Sequence, residues 1–540
     1  MIKDNILLSV QNLSVGFKNT QTNITKIVVE DLSFDLEKGK TLALVGESGS
    51  GKSVSAFSIL KLLPYPVATH PTGAILFHDK GHTTDLLTLK DKDLNAIRGI
   101  KIGMVFQEPL SALNPLRTVF EQISEPLFIH GLTTKKEAKD NVIHLLEMVD
   151  FKEGKDKLNA YPHQLSGGQR QRVMIAQALS CNPQILIADE PTTALDVTIQ
   201  ASIIELLKDL SKKNNMSILL ISHDLHMVKK MADSVCVMKQ GNLVETNSTK
   251  EIFENPQNDY TKMLIESEPK GSPKPIKNNA PTLLETNQIV VEFKKQSFNL
   301  FQKNTPFLAV NGIDLTIKQG ETLGIVGESG SGKTSLMFAI LRLLPFKGSV
   351  IFNGQDLSLL DKKNLRHLRK DIQVIFQDPF GALNPRLTIQ QIIEEGLGIH
   401  FPELNEAEKQ SFVLSILKDV YLNEDVLTRY PHEFSGGQRQ RISLARSLIL
   451  KPKLLCLDEP TSALDRSIQA EILDLLKALQ EKYQLSYLFV THDLAVIRSI
   501  SHRLIVMKNG KIVEQGQTEE IILNPKNNYT QNLFAAAFNH

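Results

Sequence analysis

The octapeptide Gly46-Glu47-Ser48-Gly49-Ser50-Gly51-Lys52-Ser53 carries the groups a polyphosphate needs, and it recurs as Gly327-Glu328-Ser329-Gly330-Ser331-Gly332-Lys333-Thr334. Glycines let backbone N–H groups curl into a concave nest around phosphate oxygens. A lysine can then reach the outer phosphates, and the final hydroxyl can hold Mg²⁺. Lys52 and Lys333 are the candidate phosphate ligands; Ser53 and Thr334 are candidate Mg²⁺ ligands. Each copy follows an apolar run (41–45 and 322–326) and precedes a helix-like segment, so free amides at a helix N-terminus add positive potential. A glycine-rich turn capping an ordinary helix would explain one copy; two copies in the same strand, loop and helix context argue for nucleotide binding.

Two acidic pairs complete the phosphate chemistry. Asp189-Glu190 and Asp458-Glu459 each end an apolar strand-like run, at the edge that faces the nucleotide in a P-loop protein. Asp189 and Asp458 are placed to orient Mg²⁺, usually through water, and Glu190 and Glu459 to polarise the water that attacks the γ-phosphate. His223 and His492 follow apolar strands and a hydroxyl residue, where an imidazole can bond the γ-phosphate and steady that water. Gln107 and Gln377 carry amide oxygens able to ligate Mg²⁺ and to sense the γ-phosphate. A strand-end histidine or a lone glutamine would mean little; both draw their weight from repetition. Ser166-Gly167-Gly168-Gln169 and Ser435-Gly436-Gly437-Gln438 precede helix-like segments. They read as N-cap serines in tight turns, and equally as helix N-termini that can bind an anion.

The order of these motifs is the same in both halves. From Gln107 to Glu190 is 83 positions and from Gln377 to Glu459 is 82; from glutamate to histidine is 33 in each. Such spacing means two copies of one folded unit. Strand candidates at 41–45, 102–106, 185–188, 217–221 and 234–238 alternate with helical patterns such as 198–210 and 468–479. The fold class is therefore α/β, with a mostly parallel sheet in each copy and a helical lobe inserted between the glutamine and the Ser-Gly-Gly-Gln stretch. Domain one is expected over 1–267 and domain two over 282–540. Between them, 268–281 holds four prolines and reads as a partly extended spacer, at roughly 3 Å per residue, able to cross about 40 Å. The first half has 55 positions from Lys52 to Gln107 against 44 from Lys333 to Gln377; the surplus holds His70, His78 and His82 without ligand-like spacing and reads as hairpin and loop. Extra residues around Phe298 to Phe307 read as packing of a sheet edge.

Composition narrows the partners. Lysine plus arginine (61) nearly balances aspartate plus glutamate (60), so no global basic field points to nucleic acid. No apolar run approaches the roughly 18 residues needed to span a bilayer, which leads us to expect a soluble, cytoplasmic chain. Cys181, Cys236 and Cys456 are far apart and read as buried reduced thiols.

Leu165-Ser-Gly-Gly-Gln169 and Phe434-Ser-Gly-Gly-Gln438, taken with the P-loops, glutamines, acidic pairs and histidines, resemble the ATP-binding cassette ATPases over nearly the whole chain except the spacer. The resemblance implies tandem cassettes, each a RecA-like core with an antiparallel β subdomain and a helical subdomain. It also implies intramolecular head-to-tail pairing, each P-loop facing the other half's Ser-Gly-Gly-Gln, with ATP and Mg²⁺ bound and both sites competent. Phe17 and Phe293 match the position of the aromatic that stacks on adenine, phenylalanine replacing the commoner tyrosine; core packing explains them equally well. The loops Thr193-Ala-Leu-Asp196 and Ser462-Ala-Leu-Asp465 differ mildly. Leu113-Asn-Pro115 and Leu383-Asn-Pro385, and the tails Asn255-Pro256…Tyr260-Thr261 and Asn524-Pro525…Tyr529-Thr530, resemble the oligopeptide and dipeptide importer branch. The usual His-Pro before Tyr-Thr is replaced by Asn258-Asp259 and Asn527-Asn528. Two cassettes fused at this length look most like the fused subunits of microcin C and oligopeptide importers, with fused glutathione importer subunits as neighbours. That implies two membrane permease subunits, a substrate-binding protein beyond them, no nucleic acid, and a peripheral place on the cytoplasmic face of the inner membrane. A tandem cassette acting on ribosomes as a translation factor is the alternative; it would carry a long charged helical linker, and this one is short and proline-rich.

Overall fold

The strand Thr41–Val45, which leads into the first P-loop, is buried on both faces: Leu42 and Leu44 enter one apolar cluster, Ala43 and Val45 another. Ile185 and Ile187 likewise face away from Leu186 and Ala188. Burial of both faces is why these strands read as unbroken apolar runs rather than alternating ones. The computed structural model describes residues 5–20, 22–192, 195–267, 269, 271–277, 279–293, 306–462 and 464–538. The chain divides into two compact units, one made mainly of Met1–Leu195 and Ile199–Ser267 and the other of Glu268–Asn539 with Asp196–Thr198.

In the first unit the strands are β1 (Ile6–Lys18), β2 (Thr25–Glu37), β3 (Thr41–Val45), β4 (Ala68–Asp79), β5 (His82–Asp85), β6 (Ile102–Val105), β7 (Ile185–Asp189), β8 (Ser217–Ile221), β9 (Ser234–Lys239) and β10 (Asn242–Ser248). They make an antiparallel sheet in the order β2-β1-β4-β5 and a six-stranded sheet in the order β10-β9-β3-β8-β7-β6. The second sheet is parallel from β9 to β6, with β10 antiparallel at its edge. One of the two clusters packs this sheet against the antiparallel sheet; the other packs its opposite face against helices. The helical lobe consists of Val119–Ile129 and Ala138–Met148, lying on Gly167–Leu179.

The second unit repeats the design with β11 (Thr282–Phe293), β12 (Phe307–Lys318), β13 (Thr322–Val326), β14 (Lys347–Phe352), β15 (Gln355–Asp356), β16 (Ile372–Ile375), β17 (Leu454–Asp458), β18 (Ser486–Val490), β19 (Arg503–Lys508) and β20 (Lys511–Gln517). The sheet orders are β12-β11-β14-β15 and β16-β17-β18-β13-β19-β20. Its lobe holds Ile389–His400 and Glu406–Asp419, both opened by capping boxes, from Thr388 with Gln391 and Asn405 with Glu408. All three cysteines are buried and unpaired with one another.

The spacer departs from a free tether. Lys274 pairs with Glu481 at 2.6 Å, and its carbonyl accepts the Nε2–H of His502 at 2.7 Å. The other ring nitrogen of His502 accepts from the N–H of Thr322, at the start of β13. The middle of the spacer is thus fastened to the second unit through a histidine that no local pattern marks. In the first unit's surplus segment, His70 and His78 lie on β4 and His82 on β5, two arms of one hairpin. Of the extra residues near Phe298, those up to 305 lie outside the described residues; Phe307 opens β12 opposite Phe293.

Candidate functional site

The parallel strands end at the two P-loops, and packing decides where each loop starts. A Cβ on Gly46 would come within 2.2 Å of the Met238 carbonyl oxygen, and one on Gly327 within 2.3 Å of that of Met507. Only glycine fits where the loop leaves β3 or β13 beside the neighbouring strand. The next helices, Lys52–Ile59 and Lys333–Ile340, begin after left-handed Gly51 and Gly332 with no side-chain cap. Their first amides are therefore not satisfied by a capping side chain, which suits them to an anion. Lys52 and Lys333 are buried and fold back on the loop: Lys52 Nζ donates to the carbonyls of Gly46 (2.7 Å) and Glu47 (2.8 Å), Lys333 Nζ to those of Gly327 (2.8 Å) and Glu328 (3.0 Å).

Across from each loop the acidic pair splits its duties. The Ser53 hydroxyl donates to Asp189 at 3.0 Å and the Thr334 hydroxyl to Asp458 at 3.1 Å, so hydroxyl and carboxylate already share one place in each unit. Burial, reinforced by the adjoining glutamate, pushes the carboxyls of Asp189 and Asp458 up to about 6, against the pull of the hydroxyl and the lysine. A carboxylate whose charge burial disfavours is one that a bound cation would stabilise. Among the described residues no three His, Cys, Asp or Glu gather to hold a metal. This one-carboxylate, one-hydroxyl set suits Mg²⁺, which keeps several waters and takes ligands from substrate phosphates.

The glutamates are held at both oxygens. Gln107 Nε2 donates to one oxygen of Glu190 at 2.7 Å while His223 Nδ1 lies 3.0 Å from the other; Gln377 and His492 hold Glu459 at 2.8 and 3.1 Å. Glu190 and Glu459 both have φ of 45°, a left-handed backbone that costs a non-glycine residue about 1–3 kcal/mol. Their N–H groups donate to Ile221 and Val490, which fixes the turn. Burial pushes the Glu459 carboxyl up, but the bond to His492, its charge, Lys333 and Gln377 outweigh that and hold it below the usual range. Burial lowers His492, and the bond and charge of Glu459 prevail, raising it above ordinary histidine. Asp224 and Asp493, just after each histidine, cap the following helices by accepting from His226 and Met227, and from Ala495 and Val496.

At the Ser-Gly-Gly-Gln stretches the helices begin at Gly167 and Gly436, earlier than their apolar pattern, because Ser166 and Ser435 cap them in reciprocal boxes with Gln169 and Gln438. Gly168 and Gly437 let a second helix close in: added Cβ atoms would lie 2.9 Å from Ile199 and 2.6 Å from Ile468. Ser166→Ala or Ser435→Ala is expected to cost about 1 kcal/mol of stability in its own unit, read from urea unfolding without nucleotide. Leu113 and Leu383 are buried anchors, and Asn114 and Asn384 turn the chain by accepting from the N–H two residues on. Phe17 leans on the core while Phe293 stands exposed at its strand end. Thr193, Ala194 and Ala463 lie outside the described residues. No helix among the described residues is long and apolar enough to cross a membrane.

Two P-loop ATPase cassettes of one design, joined in a single chain, are the class that this fold and these sites define. The family description "ABC transporter" matches residues 29–193 and 310–462, and "Oligopeptide/dipeptide transporter, C-terminal region" matches 244–292. The chain is 50% identical to "Peptidoglycan transport ATP-binding protein YejF" of Agrobacterium fabrum, over 99% of this chain and 96% of that one. It is 48% identical to "Uncharacterized ABC transporter ATP-binding protein YejF" of Escherichia coli K12, over 98% and 99%. It is 41% identical to "Glutathione import ATP-binding protein GsiA" of Pectobacterium atrosepticum, over 99% and 90%. The chain belongs to the ABC transporter family, as a YejF-like tandem ATP-binding protein. It is an importer ATPase, of the kind whose cassettes pair and work with membrane permeases.

Proposed function

We propose that this chain hydrolyses ATP at two sites to drive import of peptide-bearing molecules through a permease pair at the cytoplasmic face of the inner membrane. The observation that carries the reading is the glutamate clamped by glutamine and histidine near each P-loop, present with the same partners in both units. In this reading the loops 46–53 and 327–334 hold the phosphates, and Phe17 and Phe293 stack on adenine. Ser53, Asp189 and Gln107, and Thr334, Asp458 and Gln377, would hold Mg²⁺, the glutamines through their amide oxygens. Mg²⁺ supplies neutralisation of phosphate charge when bound. Glu190 and Glu459 take the proton from the attacking water while His223 and His492 steady them. In the ATP-bound state each P-loop pairs with the other half's Ser-Gly-Gly-Gln: Ser435 to Gln438 for the first, Ser166 to Gln169 for the second. Loss of the γ-phosphate removes those contacts and opens the pair.

The match of 244–292 to the oligopeptide and dipeptide transporter tail supports peptides as cargo. Two of the relatives are named for peptidoglycan transport and for glutathione import. Glutathione import is the second reading, favoured by the relative at 41% identity. The cargo touches the permease and a binding protein rather than this chain. The test is fractionation of cells carrying tagged Glu190→Gln, Glu459→Gln protein in ATP. Recovery with membranes and two permease subunits is expected; recovery with ribosomes and no permease would sink the importer reading for this chain.

A further inference from the structure

Each unit ends in a short helix whose second residue is a tyrosine that reaches back to the P-loop. In Asp259–Glu266, the buried Tyr260 hydroxyl accepts the backbone N–H of Glu47 at 3.2 Å; in Asn528–Phe538, the Tyr529 hydroxyl accepts that of Glu328 at 3.2 Å. Lys239 and Lys508 cover the two rings, 4.6 and 4.3 Å from their centroids. The preceding Asn-Pro segment is what aims the tyrosine. Glu245 accepts the N–H groups of Gln257 and Asn258, Glu514 those of Lys526 and Asn527, and Asn258 and Asn527 then cap the helix at the tyrosine N–H.

The same loop residue is gripped from its other side. The Glu47 carbonyl accepts from Lys52 and the Glu328 carbonyl from Lys333. When a phosphate arrives, the lysine must turn from these carbonyls toward it, and the tyrosine then remains as a hold on that turn of the loop. We propose that Tyr260 and Tyr529 are positioning residues for nucleotide: the tail helix, through one hydroxyl, keeps the P-loop in its phosphate-receiving shape once the lysine is engaged. This rests on the reading of the P-loops as the ATP sites.

The full-length Tyr260→Phe, Tyr529→Phe variant tests it, since phenylalanine keeps the ring, its burial and the lysine above it and removes only the hydroxyl. ATP affinity by equilibrium titration is expected to weaken about 3- to 10-fold, the range for a single hydrogen bond. The kcat at saturating ATP should stay within about twofold, with KM rising in step. Nucleotide-free thermal unfolding should fall by only a few degrees, the loss of the hydrogen bond already made without nucleotide, and a merely structural tyrosine would show that fall and leave the affinity alone. Unchanged affinity in the variant, with normal binding by the parent chain, overturns this inference and spares the P-loop reading. A parent chain that binds no ATP overturns both.

Discussion

Replacing both Glu190 and Glu459 by glutamine is expected to slow ATP turnover about 10³-fold while leaving ATP affinity within a few-fold of the parent chain. Each glutamate is held by both a glutamine amide and a histidine ring. Those contacts fix its direction, and the left-handed backbone at φ 45° sets where it emerges from the strand. Glutamine keeps the shape and can still meet Gln107 or Gln377, but it has no charge with which to take a proton from water. A positioned general base is worth about 10²–10⁴ in rate. The lysines and loop amides proposed to bind phosphate are untouched, so binding should survive. Phosphate release in steady state, with ATP affinity measured on the same preparations, decides the matter. A double variant turning over within tenfold of the parent would show that another group activates the water. The single variants should each retain one intact glutamate clamp, and their rates report whether the two sites fire independently.

The residues that meet at each candidate site are legible because they repeat at fixed spacing, and the strands because burial on both faces leaves a continuous apolar signature. Strand 41–45 and strand 217–221 have the bounds their apolar runs imply, and 185–188 gains only Asp189. Helix 198–210 runs from Val197 to Asn214 and 468–479 from Arg466 to Tyr483, because polar flanking turns still complete the backbone ladder after the apolar stripe ends. What sequence could not convey is which atoms meet over long separations. Gln107 reads as a metal ligand, yet its amide nitrogen is committed to Glu190, 83 positions away. The Tyr-Thr tails are visible as a repeat but without a reason, since their partner is a backbone N–H at Glu47 or Glu328, which no side chain advertises. The tether around Lys274 is composed like a free spacer and is pinned by Glu481 and by a histidine 228 positions on.

The second large effect is expected at the P-loop lysines. Lys52→Ala with Lys333→Ala should weaken ATP binding about 10- to 100-fold, the range for losing a charge-assisted hydrogen bond in a buried site. Burial drives the Lys333 ammonium below its usual range against the raising influence of Glu459 and Asp458, so this cation is kept in place at a cost that a bound polyphosphate can offset. Arginine should not rescue either position: its planar fork is too large for a side chain that curls onto two carbonyls of its own loop. Titration with ATP, alongside nucleotide-free unfolding to confirm the fold, measures the loss; affinity within threefold of the parent would remove the lysines from the site. Because lysine and tail tyrosine grip opposite sides of one peptide, the two losses should not add. In the alanine background the lysine no longer leaves the loop on binding, so adding Tyr260→Phe and Tyr529→Phe should weaken ATP by a different factor than in the parent chain. Equal factors in the two backgrounds would mean that the tail and the lysine act on the P-loop independently.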